Sequence, residues 1–212
     1  MLKALFYPDV PFESLFIPWI YKEIYFDGLY VDVLNQRKDM VIMDVGANIG
    51  VTVSHFQPHA KKLYAIEPSP EHFEALSKNK EFNNWDNVEL FNMAVADKDG
   101  EMTLSQNSSN RTCNSIVLKY GDKGVQVKTI AFDTFFEQNK IEVVDFCKFD
   151  VEGAEDLILR SEAFKKVCEK VKNIEVEFHF PTWPQLVDYM ISLGYTARRF
   201  NTSEIVVLFS RP

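Results

Sequence analysis

From residue 41 to the C-terminus, short apolar runs alternate with segments of helical length, and this alternation restricts the fold more than any other feature. The apolar runs predict strands at about 41–45, 63–67, 88–93, 144–149, 173–179 and 204–209. The segments between them predict helices at about 50–57, 70–80, 131–138, 154–167 and 182–193. Strands joined by helices lie parallel in one sheet that is covered on both faces, so we expect an α/β protein.

Two regions depart from the alternation. Within 97–130, "DKDGEMTLS" and "GVQVKTI" alternate polar with apolar residues and flank a polar loop, which predicts short antiparallel strands. Near the end, "LGYTARRFNTSEIVVLFS" predicts two strands joined by the "NTS" turn. We therefore expect an antiparallel hairpin at the edge of a mostly parallel sheet.

The composition indicates one domain with a short appendage. The chain has 212 residues, of which 46% are hydrophobic, enough for one substantial core. Its net charge of -8 argues against a nucleic-acid partner, which requires clustered Lys and Arg. Residues 1–40 are aromatic and interrupted by proline, so we assign them to an appendage and residues 41–212 to the domain. The appendage carries scattered charges, which predicts neither a signal peptide nor a membrane span.

The aromatic residues of the appendage, Trp19, Tyr21, Tyr25, Phe26 and Tyr30, have two interpretations. In the first interpretation they form a lid over a substrate pocket, where aromatic faces pack against sugar rings and exclude water. Alternatively, they form a subunit interface or extend the core.

The cysteines favour a reduced, cytoplasmic setting. Cys113, Cys147 and Cys168 are an odd number, lie far apart and show no metal-binding spacing. Cys147 and Cys168 stand in apolar surroundings, so we expect both to be small core residues.

A glycine turn follows the first predicted strand in "VIMDVGANIGVTVSHF". Such a turn, leading into a helix, brings backbone N–H groups together where electronegative ligand groups can dock. Gly46 and Gly50 would let a ligand approach the backbone closely. A tight turn without a ligand explains the same glycines, and the third glycine of a dinucleotide fingerprint is missing.

The end of the second strand points to an adenosine nucleoside. Glu67 lies about twenty residues after the glycines, where α/β nucleotide sites place an acid that binds both ribose hydroxyls. This acid is common to NAD and S-adenosylmethionine sites. Asp44 favours S-adenosylmethionine, because a carboxylate there attracts a cationic ligand and repels a pyrophosphate. Met93 and Ala94 follow the third strand and would lie beside an adenine ring.

Ionisable residues gather at the ends of the fourth and fifth strands, where open α/β sheets bind substrates. Asp150 and His179 are the candidates for a general base, with Glu152 and Glu177 shaping the pocket or orienting the histidine. The alternative interpretation places Glu152 and Glu155 as charges at a helix N-terminus, and Glu175 as a solvated edge residue. A divalent metal on Asp150, Glu177 and His179 is considered and not favoured.

The ordered motifs "MDVGANIG", "AIEPSPEHFEALSKN", "NVELFNMAVADKDGEMTL", "VKTIAFDTFF", "CKFDVEGAE" and "LGY" resemble those of the FkbM family of S-adenosylmethionine-dependent methyltransferases. The resemblance covers about residues 40–195. It implies a Rossmann-like class I methyltransferase fold with a mostly parallel seven-stranded sheet. It also implies O-methylation of a hydroxyl on a sugar, glycan or related metabolite, with S-adenosylhomocysteine as product. A homo-oligomer or a longer multidomain parent chain is compatible with it.

The resemblance also implies roles for residues that match the family motifs. The methionine half of the cofactor would contact Asp44, Gly46, Asn48 and Gly50, while Glu67 holds the ribose and Met93 and Ala94 face the adenine. Ser115, with Asn114, would lie near the cofactor. Two alternatives remain: a nicotinamide-dependent oxidoreductase and a non-catalytic nucleoside-binding domain.

Overall fold

A computed structural model describes residues 30–34, 37–106, 114–120, 124–200 and 205–211. Its strands, in chain order, are β1 (Met40–Val45), β2 (Ala60–Ile66), β3 (Val88–Phe91), β4 (Ala94–Ala96), β5 (Gly100–Gln106), β6 (Asn114–Ser115), β7 (Gly124–Ala131), β8 (Phe146–Phe149), β9 (Asn173–Phe178), β10 (Thr196–Arg199) and β11 (Ile205–Ser210). Its α-helices are α1 (Val31–Leu34), α2 (Val51–Phe56), α3 (Pro70–Asn83), α4 (Phe132–Gln138), α5 (Glu155–Leu159), α6 (Glu162–Val167) and α7 (Trp183–Ser192).

Seven strands form the main sheet in the order β10-β11-β9-β8-β1-β2-β3. The pairs β3–β2, β2–β1, β1–β8 and β8–β9 are parallel, whereas β11 is antiparallel to both β9 and β10. This arrangement confirms the predicted mostly parallel sheet with an antiparallel C-terminal hairpin. The "NTS" turn itself lies outside the described residues.

A second sheet has the order β4-β7-β5-β6. Strands β5 and β7 pair antiparallel, as the alternating sequence of 97–130 predicts. Strand β4 continues from β3 and pairs parallel with β7, which the sequence did not indicate. The polar loop between β5 and β6 lies outside the described residues.

Helices cover both faces of the main sheet. One face packs on α4, α5, α6 and α7 through a large aromatic core that includes Phe132, Phe149 and Phe164. The opposite face packs on α1, α2 and α3, with Tyr30, Phe56 and Phe146 in edge-to-face contact. Cys147 and Cys168 are buried and free, as predicted. In the described residues no helix has the length and apolar character needed to cross a membrane.

The single helix predicted over 154–167 is wrong, because the chain forms α5 and α6 with a break at residues 160–161. Ser161 has extended backbone angles, and its Oγ accepts a hydrogen bond from the Phe164 amide at 3.0 Å. A serine in this conformation caps the start of a new helix instead of continuing the previous one. The apolar periodicity crosses the break, so the pattern alone does not show it.

The two glycines of the β1–α2 turn are required by contacts within the protein. A Cβ on Gly46, whose φ is 88°, would lie 1.8 Å from the backbone oxygen of Asp150. A Cβ on Gly50, whose φ is 95°, would lie 2.7 Å from the Leu76 side chain. The sequence predicted room for a ligand at these positions, but Gly46 instead lets the β1 turn and the end of β8 touch.

We expect Gly46→Ala to destabilise the protein by roughly 2 kcal/mol or more beyond the loss in Gly194→Ala. Gly194 is a matched control, because its φ of 94° is similar and only the end of the flexible Arg211 side chain lies near its added Cβ. Urea unfolding of both variants measures the difference. Equal losses would show that the close approach of Asp150 carries no cost.

Candidate active site

A cleft opens at the carboxyl ends of the central strands, where the chain continues from β1 toward β2 on one side and β8 lies on the other. In open α/β sheets this switch point is where ligands bind. Most of the predicted site residues line the cleft, namely Gly46, Asn48, Glu67, Met93, Ala94, Asp150 and Glu152, together with Asn114. The fold therefore brings together residues that are more than one hundred positions apart in the sequence.

The backbone amides of the β1–α2 turn are all used within the protein. The amides of Gly46 and Ala47 donate to the Ile66 carbonyl, and that of Gly50 donates to the Ala47 carbonyl. The Asn48 amide donates to the Glu67 carboxylate, and the next amide along donates to the Asn48 side chain. The turn therefore offers no free N–H group to a ligand from residues 46–50, contrary to the expectation from sequence.

The Glu67 carboxylate joins the β1–α2 turn to the start of α3. Its Oε2 accepts from the Asn48 amide and its Oε1 from the Ser69 amide, both at 2.9 Å. His72 lies beside it, with Nδ1 3.7 Å from Oε1, and also lines the cleft. A carboxylate has about four acceptor positions. Glu67 is therefore held in place by two donors while it can accept two more hydrogen bonds from a ligand.

Beneath the cleft, a row of buried charges crosses the three central strands. Asp44 on β1 pairs in register with Lys148 on β8, and Lys148 pairs with Glu175 on β9. The Lys148 ammonium lies 3.7 Å from Asp44 Oδ1 and 3.2 Å from Asp150 Oδ2. A central parallel strand is ordinarily apolar on both faces. Burying these ionisable groups costs free energy, which the attraction between opposite charges in the row partly offsets.

Burial has the largest effect on the pKa values of the two acidic residues in this row, Asp44 and Glu175. It raises the pKa of Asp44 to about 6, against the opposing effects of Lys148 and of the hydrogen bond from Thr52. It raises the pKa of Glu175 to about 8, against Lys148 and a hydrogen bond from Tyr30. Burial lowers the pKa of Lys148, but the surrounding carboxylates outweigh burial and raise it above its ordinary value, so the ammonium stays charged.

The solvated edge position considered for Glu175 is wrong. Its side chain is 2% exposed, because β9 is not an edge strand: β11 pairs with it at Glu175, and Tyr30 donates a hydrogen bond to the Glu175 side chain. Within the described residues, Glu175 Oε2 and Asp44 Oδ1 are buried oxygens without a hydrogen-bond donor.

Some predicted cofactor contacts lie away from the cleft lining. Asp44 is fully buried below it, with its charge facing Lys148. Gly50 faces Leu76 and Trp85. Ser115 is buried, and its Oγ accepts from the amides of residues 117 and 118. Direct contact between these three residues and a cofactor therefore remains a prediction.

His179, one residue after β9, is surrounded by four carboxylates. Its Nδ1 lies 2.8 Å from Oε1 of Glu155. Its Nε2 lies 3.8 Å from Asp150, 3.6 Å from Glu152 and 3.7 Å from Glu177. Burial lowers the pKa of His179, but the hydrogen bond to Glu155 and the nearby negative charges outweigh burial and raise it above its ordinary value.

A metal can be considered at the same place. Asp150, Glu152 and His179 each offer a ligand atom within 4.8 Å of the others, whereas the sequence suggested Glu177 in place of Glu152. Oδ2 of Asp150 is already engaged in an ion pair with the Lys148 ammonium at 3.2 Å. That the reaction needs no metal therefore stays a prediction.

Sequence reasoning missed the roles of Lys148 and Glu155. A lysine in the middle of a predicted buried strand was the available signal for Lys148, because such a residue needs an anionic partner. Glu155 was interpreted only as a charge at a helix end, and nothing in the local sequence indicates that it contacts His179. Of the aromatic appendage, Tyr30 packs on Phe56 and Phe146, and the other aromatic residues lie outside the described part of the chain.

The fold is that of the class I methyltransferases. An rRNA methylase from Streptococcus thermophilus has the same fold, with a TM-score of 0.57 and 13% identity over 86% of this chain and 94% of that one. TrmK of M. capricolum, solved with S-adenosylhomocysteine, has a TM-score of 0.50 and 14% identity over 84% of this chain and 64% of its own.

The sequence comparison identifies the family. Residues 44–197 match the methyltransferase FkbM domain, and the chain belongs to this family of S-adenosylmethionine-dependent methyltransferases. Two curated relatives are each 27% identical. Methyltransferase sdnD of Sordaria araneosa matches over 85% of this chain and 83% of its own length. The hexuronic acid methyltransferase AglP of Haloferax volcanii matches over 82% and 72%.

We expect Glu175→Gln to stabilise the protein relative to the wild type at high pH but not at low pH. The pKa of Glu175 is about 8 in the folded protein, above the ordinary value of 4.5. The wild type therefore loses stability as the pH rises from the lower value to the higher one, and the amide variant does not. Between pH 5 and pH 9 the difference in unfolding free energy should change by about 4 kcal/mol, because each pKa unit of difference between the folded and unfolded protein is worth about 1.4 kcal/mol. Urea titrations at several pH values measure it, and a constant difference would mean that Glu175 is ionised throughout.

Proposed function

We propose that the protein transfers a methyl group from S-adenosylmethionine to a hydroxyl oxygen of a sugar, glycan or related metabolite. One observation carries the proposal: a nucleoside-type carboxylate, Glu67, and a cluster of proton-accepting groups around Asp150 line one cleft. Donor and acceptor can therefore meet within one site, as an in-line displacement requires.

The cleft has the chemistry that the methyl donor requires. Glu67 retains two acceptor positions for the ribose hydroxyls, and Met93 and Ala94 supply an apolar wall for the adenine. Asp150 and Glu152 place negative charge where a cationic donor would lie. When bound, S-adenosylmethionine supplies an electrophilic methyl group on a sulfonium, and its sulfur leaves as a neutral thioether.

The chain itself must orient the acceptor and remove one proton. Asp150 and Glu152 line the cleft, and His179 faces both of them, so all three remain the catalytic residues of the proposal. Removal of the proton in the transition state contributes roughly 10²- to 10⁴-fold to such reactions.

The acceptor class rests on the relatives. AglP is named for hexuronic acid, a carboxylated sugar, and the aromatic residues of the appendage suit a sugar ring. We therefore propose a carbohydrate or glycosylated small molecule as acceptor. A lid role for the appendage is part of this proposal but does not extend to Tyr30, which packs in the core on Phe56 and Phe146.

The structure gives reasons to prefer this function to a nicotinamide oxidoreductase. A dinucleotide pyrophosphate docks on free amides of the glycine turn. Here the amides of residues 46–50 are already bonded within the protein. The turn therefore suits a donor without a pyrophosphate.

We expect Glu67→Ala to weaken binding of S-adenosylmethionine and S-adenosylhomocysteine by roughly 10- to 100-fold, because hydrogen bonds to a charged group are lost. Calorimetric titration measures both affinities and includes NAD, for which we expect no binding. Glu89→Ala is the control, since Glu89 is a solvent-exposed carboxylate on β3. If folded wild-type protein bound neither sulfur nucleoside, the donor assignment would fail.

We expect transfer of a labelled methyl group to sugars and uronic acids that have a free hydroxyl, and none to their fully O-methylated forms. Mass spectrometry of the products locates the methyl group. Asp150→Asn should lower the rate by roughly 10²-fold or more, because the amide lacks the negative charge that Asp150 places in the cleft beside His179. Methylation only of amines or carboxylates would contradict the O-methyltransferase proposal while keeping the donor.

A further inference from the structure

The Glu155–His179 pair stands apart from the other acidic contacts of the cluster. Glu155 is 1% exposed, although the first turn of a helix ordinarily presents its acidic residues to solvent. Its Oε1 also accepts from the Gly153 amide at 3.1 Å. A carboxylate that is buried and held by two donors has one fixed position, and the imidazole hydrogen-bonded to it is fixed as well.

We propose that Glu155 is a positioning residue that orients His179, so that Nε2 of His179 accepts the proton of the acceptor hydroxyl. This inference rests on the proposed methyl transfer and adds to it the identity of the base and of the group that orients it.

The contacts of the two ring nitrogens differ, and this difference carries the assignment. At 2.8 Å, the contact from Nδ1 to Glu155 is a hydrogen bond in which Nδ1 donates. The contacts from Nε2 to Asp150, Glu152 and Glu177 are 3.6 to 3.8 Å, beyond hydrogen-bond distance. Because the surrounding carboxylates raise the pKa of His179, the neutral ring forms at alkaline pH. In that form Nδ1 keeps its proton, and Nε2 has a lone pair directed toward the carboxylates of the cleft.

The proton balance follows from this geometry. The acceptor oxygen forms a bond to the methyl carbon as the carbon–sulfur bond breaks, and the electron pair of that bond stays on sulfur. The hydroxyl proton moves to Nε2, which turns the imidazole into an imidazolium. Glu155 stabilises this cation through Nδ1–H, and Asp150 and Glu152 stabilise it from the other side.

Asp150 then has a different role from that of the base. Its Oδ2 lies 3.2 Å from the Lys148 ammonium and is engaged in that ion pair. The sequence could not choose between Asp150 and His179. The contact between Glu155 and Nδ1 favours the histidine as base, with Asp150 holding the acceptor and the charge that develops on the ring.

The first test measures the exchange of the Nδ1 proton and the pKa of His179 in the protein without any ligand. In ¹⁵N-histidine NMR spectra of the wild type, we expect a downfield, slowly exchanging Nδ1 proton on His179, assigned by its loss in His179→Asn. In Glu155→Gln the pKa of His179 should fall by about one unit or more, because a charged partner is replaced by a neutral one. A rapidly exchanging Nδ1 proton in the wild type would overturn the proposal without any variant.

The second test reads the reaction. In Glu155→Gln we expect kcat to fall at least about tenfold with little change in the acceptor KM, and the rise of kcat/KM with pH to begin at lower pH. Asp156→Asn is the matched control, because Asp156 lies in the same turn of α5 and is exposed in an ion pair with Arg160. It should leave the rate, the KM and the pH profile unchanged.

Two further comparisons complete the test. In the His179→Asn background, Glu155→Gln should cause no additional loss, because both act in one step. An unchanged pH profile in Glu155→Gln, or independent and additive losses, would overturn the proposal. Calorimetry of Glu155→Gln should show wild-type affinity for S-adenosylhomocysteine, so a failure of the donor assignment is recognised separately from a failure of the pair.

Discussion

The contact between Gly46 and the end of β8 determines where the two halves of the site meet. The backbone oxygen of Asp150 occupies the space that a side chain on Gly46 would fill. The Asp150 amide also donates to the Val45 carbonyl, so the end of β8 is tied to the end of β1. On one side of this contact, Glu67 is held by the Asn48 amide of the same turn. The residues proposed to bind the nucleoside and to accept the proton are therefore joined by direct backbone contacts, which is the arrangement that preorganised catalysis requires.

Beneath the cleft, ionisable side chains occupy sheet positions that are ordinarily apolar. Asp44, Lys148 and Glu175 are all buried in the middle of the sheet, where apolar residues would give the same packing at lower cost. The single ammonium of Lys148 lies 3.7 Å from Asp44 and 3.2 Å from Asp150, whereas the raised pKa of Glu175 keeps that carboxyl protonated at neutral pH. Two carboxylates therefore face one ammonium, and the local charge is negative even with Lys148 protonated. A site that binds a cationic methyl donor gains from such a field, because the charges are in place before the ligand arrives.

The sequence predicted the sheet, its antiparallel hairpin and most of the cleft lining, because those features follow from patterns that are local or repeated. The break at Ser161 and the short strand β4 escaped it, because single capping and pairing contacts decide them. The packing role of the turn glycines escaped it for a related reason, while their contact with a ligand stays a prediction. A glycine with positive φ is visible in sequence only as a glycine, and whether backbone or ligand occupies the adjacent space depends on a strand one hundred residues away.

The same limit explains why the histidine was predicted without its partner. His179 and Glu155 are twenty-four residues apart, one just after β9 and the other at the start of α5, and the Gly153 amide holds the Glu155 carboxylate beside the ring. Gly153 has a φ of 100°, and a Cβ there would lie 2.8 Å from the ring of Phe180. The turn that buries Glu155 therefore depends on a glycine beside the aromatic residue that follows His179. Local sequence identifies which groups can exchange a proton, whereas the packing of this turn determines which ring nitrogen is directed toward the cleft.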